Sequence, residues 1–335
     1  MLKKSFFILY DFDQTAGGGK SFLSSFRDYL LAKKQYADNA ESSDIIILNS
    51  HNHLEEAQRL KVKFNGQKTF VHRIDGPMRT YNQWYDVRDF TVQYVLDFIS
   101  DCAIFQSKWS LKNHTFLYGD PKVPVAVIHN AANMNFFYPG EKTQTGKIKI
   151  IGSAWSHQKN KGGDYYDYLE ENLDFNRFEM SFVGKTIGRY SKIKCLGILD
   201  QKQLGEELKK NHIYFFPSLY EACSNALLEG IASGLIPMVR AGSSNLEVVE
   251  DSRLQFSSYS EAIIKLNRIN LSESYQFKNP DFNHIAQQYI DFASAIKPQY
   301  RELNFNVHKL HLNLKNYSYK IARLLHRVTE PPKKS

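Results

Sequence analysis

NHIYFFPSLYEACSNALLEG, residues 211–230, contains the most informative local pattern in this sequence. Pro217 closes its apolar run, residues 213–216, and such a run is typical of a buried strand in a parallel sheet. A polar loop follows, and the residues from Asn225 onward predict a helix, for which Ser224 and Asn225 are both suitable N-terminal caps. The stretch therefore predicts a strand, a loop and a helix whose N-terminus points to the carboxyl edge of the sheet.

The start of this helix is a candidate anion site. The backbone amides of Asn225, Ala226 and Leu227 are expected to be free there, and the helix dipole adds positive potential. Glu221 precedes the helix and Glu229 lies within it. A diphosphate on the amides would have a carboxylate on each side, and carboxylates accept hydrogen bonds from vicinal diols. A nucleoside diphosphate sugar carries such diols in its ribose and in its hexose.

Around the two glutamates, PSLYEACSNALLEGIASGLIPMV resembles the donor-binding segment of the family 4 retaining glycosyltransferases. Glu221 and Glu229 match that family's E-x7-E pair, and the Pro237 of the next strand also agrees with it. The resemblance implies a GT-B fold, in which two doubly wound Rossmann-like α/β domains face each other across a cleft. It also implies that Glu221 contacts the transferred sugar, Glu229 the ribose, and the amides between them the phosphates.

Two glutamates at this spacing are, on their own, also typical of an ordinary protein surface. Here the two glutamates occur together with a predicted strand, a loop and a helix of small residues, and this combination favours the donor site. The resemblance extends over about residues 5–295 and is weaker in the first half of the chain.

The length and composition agree with a two-domain α/β protein. The 335 residues suffice for two domains of ordinary size, and 42% of them are hydrophobic. No apolar run approaches the roughly 18 residues that span a bilayer, and the apolar run near the N-terminus is too short for a signal peptide. We therefore expect a cytoplasmic protein. The three cysteines lack CxxC spacing, so no metal site is predicted.

The positive charge of the chain is concentrated at its C-terminal end. The formal net charge is +8, and most of that excess comes from residues 298–335. A nucleic-acid groove would normally carry its basic excess on the folded body. The charge distribution therefore predicts no nucleic-acid partner.

The loop after the first predicted strand, residues 6–10, permits three interpretations. A P-loop requires glycine where Gln14 stands, so that interpretation fails. Asp11 and Asp13 resemble the first motif of haloacid-dehalogenase-type phosphatases, in which the first aspartate is the nucleophile. The later acidic motif of that class has only a partial match, at residues 163–167.

The third interpretation of this loop follows from the family 4 resemblance. In that family a glycine-rich turn lets the backbone come close to the donor phosphates. Gly17, Gly18 and Gly19 match that turn. A plain flexible turn capped by Asp13 is the alternative.

KTFVHRIDGP, residues 68–77, predicts a strand that ends at His72. A histidine at this strand end faces the transferred sugar in the resembled family, so the resemblance gives His72 a catalytic role; a structural histidine is the alternative. Arg73 and Asp75 either pair with each other or face the substrate. The segment also resembles a subgroup acting in bacterial surface-glycan assembly, which implies a glycan or lipid-linked acceptor.

The alternation of strands and helices restarts after a polar linker at residues 140–146. We therefore predict an acceptor-side domain over residues 1–140 and a nucleotide-sugar-binding domain over residues 147–282. Residues 283–335 are predicted to hold a helix that crosses back to the first domain and a basic amphipathic tail.

WSHQKNKGG carries a second part of the predicted donor site. Family 4 enzymes usually place an arginine five residues before the lysine of a Lys-Gly pair, with both on the diphosphate. Lys161 matches the lysine, but Ser156 stands in place of the arginine. Either Ser156 binds a phosphate through its hydroxyl, or Lys159 or Lys185 supplies the missing charge. A solvated loop is the alternative for these lysines.

The C-terminal tail, residues 300–335, has apolar residues at alternating spacings of four and three, flanked by lysines and arginines. Such a basic amphipathic helix docks on the protein itself, binds an anionic membrane surface or joins two subunits. The pattern does not decide among these three roles of the tail.

Taken together, the resemblance implies a retaining transferase that moves a sugar from a nucleoside diphosphate sugar without a metal ion. His72, Lys161 and Glu221 are its predicted catalytic residues. Two other functions remain open: a phosphatase that uses Asp11 and Asp13, and a non-catalytic module that binds sugar nucleotides.

Overall fold

A computed structural model describes residues 3–13, 18–82, 86–142, 146–154, 159–185 and 190–301, and six isolated positions of the tail, 303, 313, 314, 317, 320 and 321. Ser156 and Gly17 lie outside the described residues, as does most of the tail. The described chain forms two parallel sheets with helices on both faces of each.

The first sheet has five parallel strands whose spatial order is their order in the chain. These strands are β1 (Phe6–Leu9), β2 (Ile45–Asn49), β3 (Thr69–Ile74), β4 (Cys102–Phe105) and β5 (Val125–Val127). The helices between them are α1 (Gly18–Ala32), α2 (Leu54–Phe64), α3 (Met78–Asn82), α4 (Val87–Phe98) and α5 (Lys108–Tyr118).

The first sheet is doubly wound because the chain reverses direction next to β1. After α1, a single parallel bridge joins Tyr36 to Phe6 on the edge of β1 that faces away from β2. The chain then returns to β2 on the other side. As a result, α1 covers one face of the sheet, while α2 and α4 cover the other.

The second sheet has six parallel strands in the order β11-β10-β9-β6-β7-β8. They are β6 (Ile148–Ala154), β7 (Phe178–Gly184), β8 (Lys194–Cys195), β9 (Ile213–Phe216), β10 (Ile236–Arg240) and β11 (Gln255–Phe256). The helices are α6 (Gly163–Asn172), α7 (Gln201–Leu208), α8 (Asn225–Ala232), α9 (Asn245–Val248) and α10 (Tyr259–Arg268). The strand order reverses between β6 and β9, and ligands of such sheets bind at the carboxyl edge beside that point.

The last described helix, α11 (Phe282–Ala295), returns to the first sheet. Its buried face packs on α1, where Tyr289 lies 5.1 Å from Phe22 and 5.4 Å from Phe26 between ring centroids. The chain then runs along the first domain, where Arg301 donates a hydrogen bond to the Asp97 carbonyl at 2.8 Å. α11 therefore packs against the first domain rather than the second.

The predicted strands at residues 6–10 and 213–216 end within one residue of β1 and β9, whereas β3 does not end at His72 as predicted. It continues to Ile74 because its last residues pair with both β2 and β4, and all six of its side chains are buried. The prediction took the polar residues after Val71 as the start of a loop. Within the described residues, no helix combines the length and the apolarity needed to cross a bilayer.

A fully buried ion pair stabilises the first sheet at the edge opposite the strand carboxyl ends. Lys61 Nζ lies 2.9 Å from Asp101 Oδ1, and both side chains are 0% exposed. The other Asp101 oxygen accepts a hydrogen bond from the Phe70 amide at 2.8 Å. Burial lowers the pKa of the Lys61 ammonium, so this cation depends on its partner.

We expect Lys61→Met to destabilise the protein by about 3–5 kcal/mol, because it leaves the Asp101 carboxylate buried without a counter-ion. Asp101→Asn added to Lys61→Met should recover part of the loss, since the amide still accepts the Phe70 hydrogen bond. Urea unfolding followed by far-ultraviolet circular dichroism measures both. Lys63→Met, which breaks the exposed pair between Lys63 and Glu41, is the matched control. Equal effects of the two lysine variants would contradict the prediction.

Candidate functional site

The strand β9, the following loop and α8 form the centre of the site at the carboxyl edge of the second sheet. Ser224 caps α8, and its Oγ accepts a hydrogen bond from the Leu227 amide at 3.4 Å. Tyr220, in the loop, adopts a left-handed backbone with φ of 61°. Such a conformation is uncommon for a tyrosine and occurs mainly where the surroundings impose it. The loop therefore presents Glu221 in a constrained position.

Glu221 is paired with Lys161, as part of a hydrogen-bonded cluster. Lys161 Nζ and Ser218 Oγ each lie 2.5 Å from the same carboxylate oxygen, Glu221 Oε1. Gly162, next to the lysine, has φ of 74°, and a Cβ there would lie 2.6 Å from Pro217 Cβ. Only glycine fits this position without strain. The Lys-Gly pair and the loop of Glu221 are therefore packed against each other.

Tyr81, on α3 of the first domain, reaches across the cleft to Lys161. The Lys161 ammonium lies 5.5 Å from the centroid of the Tyr81 ring, within the range of a cation–π contact. Asn160 Nδ2 also donates to the Tyr81 carbonyl at 3.2 Å. Burial by itself would lower the pKa of Lys161, but Glu221 and Tyr81 outweigh burial and hold that pKa above its usual value. Lys161 thus stays cationic at neutral pH.

Glu229 is buried on α8 and faces the first domain. Its side chain receives a hydrogen bond from Ser21 Oγ of α1, at the long distance of 3.4 Å. Burial raises the pKa of Glu229 to about 7, and the Ser21 hydrogen bond offsets this only in part. A carboxylate in this position can accept more hydrogen bonds than the described residues supply.

The amide of Leu227 is not free, contrary to the prediction, because the Ser224 cap already binds it. The side chain of Asn225 points to the first domain, where its Oδ1 accepts a hydrogen bond from Asn130 Nδ2 at 2.8 Å. Ala226 lies in the same first turn. The start of α8 therefore lies at the junction of the two domains.

A buried arginine organises the first-domain side of this junction. Arg73 is 1% exposed and donates to Asn49 Oδ1 at 2.8 Å and to Asn130 Oδ1 at 2.9 Å. A third contact joins it to Asp75 at 3.3 Å. Asn130 in turn donates to the Cys223 carbonyl at 3.2 Å. Of the two alternatives for Arg73 and Asp75, the structure shows the local ion pair.

His72 does not face the cleft. It is 0% exposed, and its Nε2 lies 2.8 Å from the Ser50 carbonyl. Burial lowers the pKa of its imidazole to about 4, so it is neutral at physiological pH. The expected catalytic position is wrong for this structure because β3 continues beyond His72, so this residue lies inside the sheet, opposite Leu48 of β2 and Ala103 of β4.

The remaining predicted donor residues fall into two places. Lys185 is exposed and lines, with Lys161 and Tyr190, a narrow crevice at the carboxyl edge of β6 and β7. Gly18 begins α1, and Gly19 packs so closely on Asn49 that a Cβ would lie 3.2 Å from its Nδ2. Lys185 is thus a neighbour of Lys161, whereas the two glycines belong to the first-domain wall.

Glu247 is a cross-domain residue whose partners sequence reasoning missed. Glu247 belongs to none of the motifs from which the site was predicted. From α9 it accepts hydrogen bonds from the amides of Lys108 and Trp109, at 2.9 and 2.6 Å. His129 Nε2 lies 3.2 Å from it. Burial alone would raise the pKa of Glu247, but His129 and the two amides hold it below its usual value. A carboxylate of the second domain therefore occupies the N-terminus of α5 in the first.

The structure does not assemble the residues of the phosphatase interpretation. Asp11 and Asp13 are exposed in the first domain, whereas Asp164 and Asp167 belong to α6 of the second. Tyr259 donates to Asp164 at 2.6 Å. Within the described part of the chain, no three histidine, cysteine or acidic side chains are grouped so that they could hold a metal ion.

No protein-family model matches this chain. A search of curated proteins also finds no match.

Solved structures, in contrast, match it over most of its length. A sucrose-phosphate synthase from Thermosynechococcus elongatus is 13% identical with a TM-score of 0.64, covering 95% of this chain and 99% of that one. Anabaena HepE, in complex with UDP and glucose, is 13% identical with a TM-score of 0.61, covering 97% and 100%. A trehalose-6-phosphate synthase, OtsA, is 13% identical with a TM-score of 0.58, covering 84% and 78%.

At such low identity the likeness establishes the fold. Two parallel-sheet α/β domains with their carboxyl edges facing a common cleft define the GT-B class, and this chain has that fold. The fold class expected from residues 211–230 is confirmed. Assignment to family 4 remains a prediction.

We expect Glu229 to make the stability of the protein depend on pH. Its pKa is about 7 when folded and close to 4.3 in an unfolded chain. Its contribution to stability is fully present below about pH 4 and is lost as pH rises through about 7. Glu229→Gln should remove this loss. The free energy of unfolding of the variant, relative to that of wild type, should therefore rise by roughly 3 kcal/mol between pH 4 and pH 8.

Thermal unfolding at several pH values measures this difference. Glu171→Gln, at an exposed position of a helix in the same domain, is the control. If Glu229→Gln keeps the wild-type pH dependence, the carboxylate is not buried as described.

Proposed function

We propose that this protein is a glycosyltransferase that moves a sugar from a nucleoside diphosphate sugar to an acceptor, with retention of anomeric configuration. One observation carries the proposal. Lys161 and Glu221 lie together at the carboxyl edge of the second sheet, beside the start of α8, and Glu229 lies further along the same helix. This arrangement combines a cation and a helix N-terminus for phosphates with carboxylates for hydroxyl groups.

The donor fits this arrangement in one direction. Its diphosphate would bind the start of α8 and Lys161, while Glu229 would accept hydrogen bonds from the ribose and Glu221 from the transferred sugar. The solved structures of Anabaena HepE contain UDP with glucose, and UDP-glucose. A UDP-sugar is therefore a reasonable first donor to test.

Transfer requires stabilisation of the leaving diphosphate, which gains negative charge as the glycosidic bond breaks. Lys161 and the N-terminal end of α8 are already fixed in position, so they stabilise this charge without reorganisation. We propose that they do so without a metal ion. Glu221 is engaged by Lys161 and Ser218, which suits it to orient sugar hydroxyls rather than to form a covalent bond. The acceptor would then attack from the face that the diphosphate leaves, and that diphosphate would take its proton.

The contacts across the cleft support a reaction protected from water. Tyr81, Asn130 and Ser21 of the first domain each contact the donor-binding elements of the second. Closing a cleft in this way excludes water and so suppresses hydrolysis of the donor.

The pair between Lys161 and Glu221 predicts opposite effects of its two members on nucleotide binding. A diphosphate competes with Glu221 for the lysine, so Glu221→Gln should tighten UDP binding, by about fivefold if the competition is worth ~1 kcal/mol. It should lower sugar transfer by about 100-fold or more, because the sugar loses a charged acceptor. Lys161→Met should weaken UDP binding and abolish transfer. Calorimetry and a coupled assay of UDP release measure these effects.

Glu207→Gln is the matched control, because Glu207 also pairs with a lysine, Lys210, at 2.7 Å. It should change neither binding nor transfer. UDP binding that is unaffected by both Lys161→Met and Glu221→Gln would refute the donor site. Binding of UDP-glucose with no turnover on any acceptor would instead favour a non-catalytic sugar-nucleotide-binding module.

We propose that the acceptor is a glycan or a lipid-linked sugar, and that the protein works in the cytoplasm at an anionic membrane surface. Leu314, Tyr317 and Ile321 lie in a helical part of the tail and are 60%, 67% and 46% exposed. Their spacing places them on one helix face, and the tail is rich in lysine and arginine. An exposed apolar face beside basic residues suits an anionic lipid surface.

Substitution of Leu314, Tyr317 and Ile321 by glutamine together should lower binding to phosphatidylglycerol vesicles by about tenfold or more, since three apolar side chains no longer enter the interface. Co-sedimentation with vesicles measures the effect, and pure phosphatidylcholine vesicles should not bind the wild-type protein. Phe116→Gln, at an apolar residue of α5 that is 85% exposed, is the control. Unchanged binding of the triple variant, or a shift in subunit number instead, would contradict the membrane role.

A further inference from the structure

The burial of His72 leaves the first domain without the side chain that was expected to contact the donor. In the closed arrangement, a different first-domain residue meets the donor site: Tyr81, whose ring centroid lies 5.5 Å from Lys161 Nζ. It comes from the short helix α3, nine positions after His72 in the chain. Its location suggests that α3, rather than β3, carries the donor contact.

A buried carboxylate fixes α3 in place. Asp89 is 3% exposed and accepts hydrogen bonds from the amides of Met78 and Arg79 at 2.7 and 2.8 Å. Tyr118 also donates to it at 2.7 Å. Burial raises the pKa of Asp89 despite these hydrogen bonds. Placing a carboxylate in such an environment is unfavourable unless it is well hydrogen-bonded, so the start of α3 is held firmly.

The second domain meets the loop before α3 and the residue Tyr81 itself. A Cβ on Gly76 would lie 3.2 Å from the Cβ of Ala222, which follows Glu221 in the chain. Asn160, which precedes Lys161, donates to the Tyr81 carbonyl at 3.2 Å. Tyr81 is therefore held in position by the hydrogen bonds within its own domain. Contacts of the Tyr81 region with the segments of Glu221 and Lys161 hold it from the second domain as well.

Tyrosine at this position offers a group that a phosphate can use. The Lys161 ammonium lies 5.5 Å from the centroid of the Tyr81 ring, and a hydrogen bond with the Tyr81 side chain is among the interactions that raise the pKa of Lys161. A phenol hydroxyl can accept a hydrogen bond from a lysine and donate its own hydrogen to a phosphate oxygen at the same time. Any anion that binds Lys161 would therefore lie next to this donor.

We propose that Tyr81 is the donor-contacting residue of the first domain, and that its hydroxyl donates a hydrogen bond to the diphosphate held by Lys161. This inference rests on the proposed function. Because Tyr81 and Lys161 belong to different domains, the same contact favours the closed arrangement when the donor is bound.

The test compares wild type, Tyr81→Phe, Lys161→Met and the double variant, using calorimetry with UDP and UDP-glucose. Tyr81→Phe keeps the ring and removes the hydroxyl, so it should weaken binding of both ligands by about five- to tenfold. In the Lys161→Met background the same change should have much less effect, because the phosphate is no longer held beside the tyrosine. In each background, Tyr81→Phe should leave the unfolding temperature unchanged.

Tyr138→Phe is the matched control. Tyr138 also lies near a lysine, with Lys209 Nζ 3.4 Å from its ring centroid. Lys209 follows α7 and precedes β9, so this pair lies at the edge of the second sheet opposite the start of α8. It should leave binding unchanged.

If wild type binds UDP and Lys161→Met binds it more weakly, wild-type affinity in Tyr81→Phe would overturn this inference alone. Effects of the two substitutions that simply add would also overturn it. If wild type binds neither UDP nor UDP-glucose, the proposed function falls, and the inference falls with it.

Discussion

The arrangement of the cleft depends on one buried cation, the guanidinium of Arg73. A buried charge is strongly unfavourable unless its hydrogen-bonding groups are satisfied, so the surrounding polar side chains must take fixed positions. Asn49 and Asn130 accept its hydrogen bonds. Asn130 in turn donates hydrogen bonds to Asn225 and to the Cys223 carbonyl of the second domain. The start of α8 is thus held at the end of a hydrogen-bonded chain that begins in the first sheet.

The functional groups of the site are, in this state, partners of one another. Lys161 pairs with Glu221, Ser21 donates to Glu229, and Glu247 occupies the N-terminus of α5. A nucleoside diphosphate sugar offers the same chemistry, with phosphates for the lysine and hydroxyls for the carboxylates. Binding would therefore exchange existing contacts for new ones, and only the difference between them would appear as affinity. The site depends on both domains, because several of these contacts join one domain to the other.

Local patterns predicted much of the fold and part of the site. The apolar run before Pro217, the cap at Ser224 and the helix after it appear as expected, since all depend on neighbouring residues. Lys161 and Glu221, which the resemblance assigned to different parts of the donor, lie in contact with each other. His72 was misplaced because the end of a strand depends on its partner strands, which its own sequence does not reveal. The Leu227 amide was misjudged for a related reason: a cap that starts a helix also uses one of its amides.

Local sequence patterns therefore sufficed to predict the α/β class, the order of the strands along the chain, the two candidate carboxylates and the concentration of charge in the tail. Each of these follows from spacing, residue type or composition over short segments. The burial of Arg73, the burial of Glu229 against Ser21 and the contacts of Glu247 and Tyr81 with the opposite domain became visible in the folded structure alone. These contacts join residues far apart in the chain. They exist because the carboxyl edges of the two sheets face each other across the cleft. No local pattern records such packing.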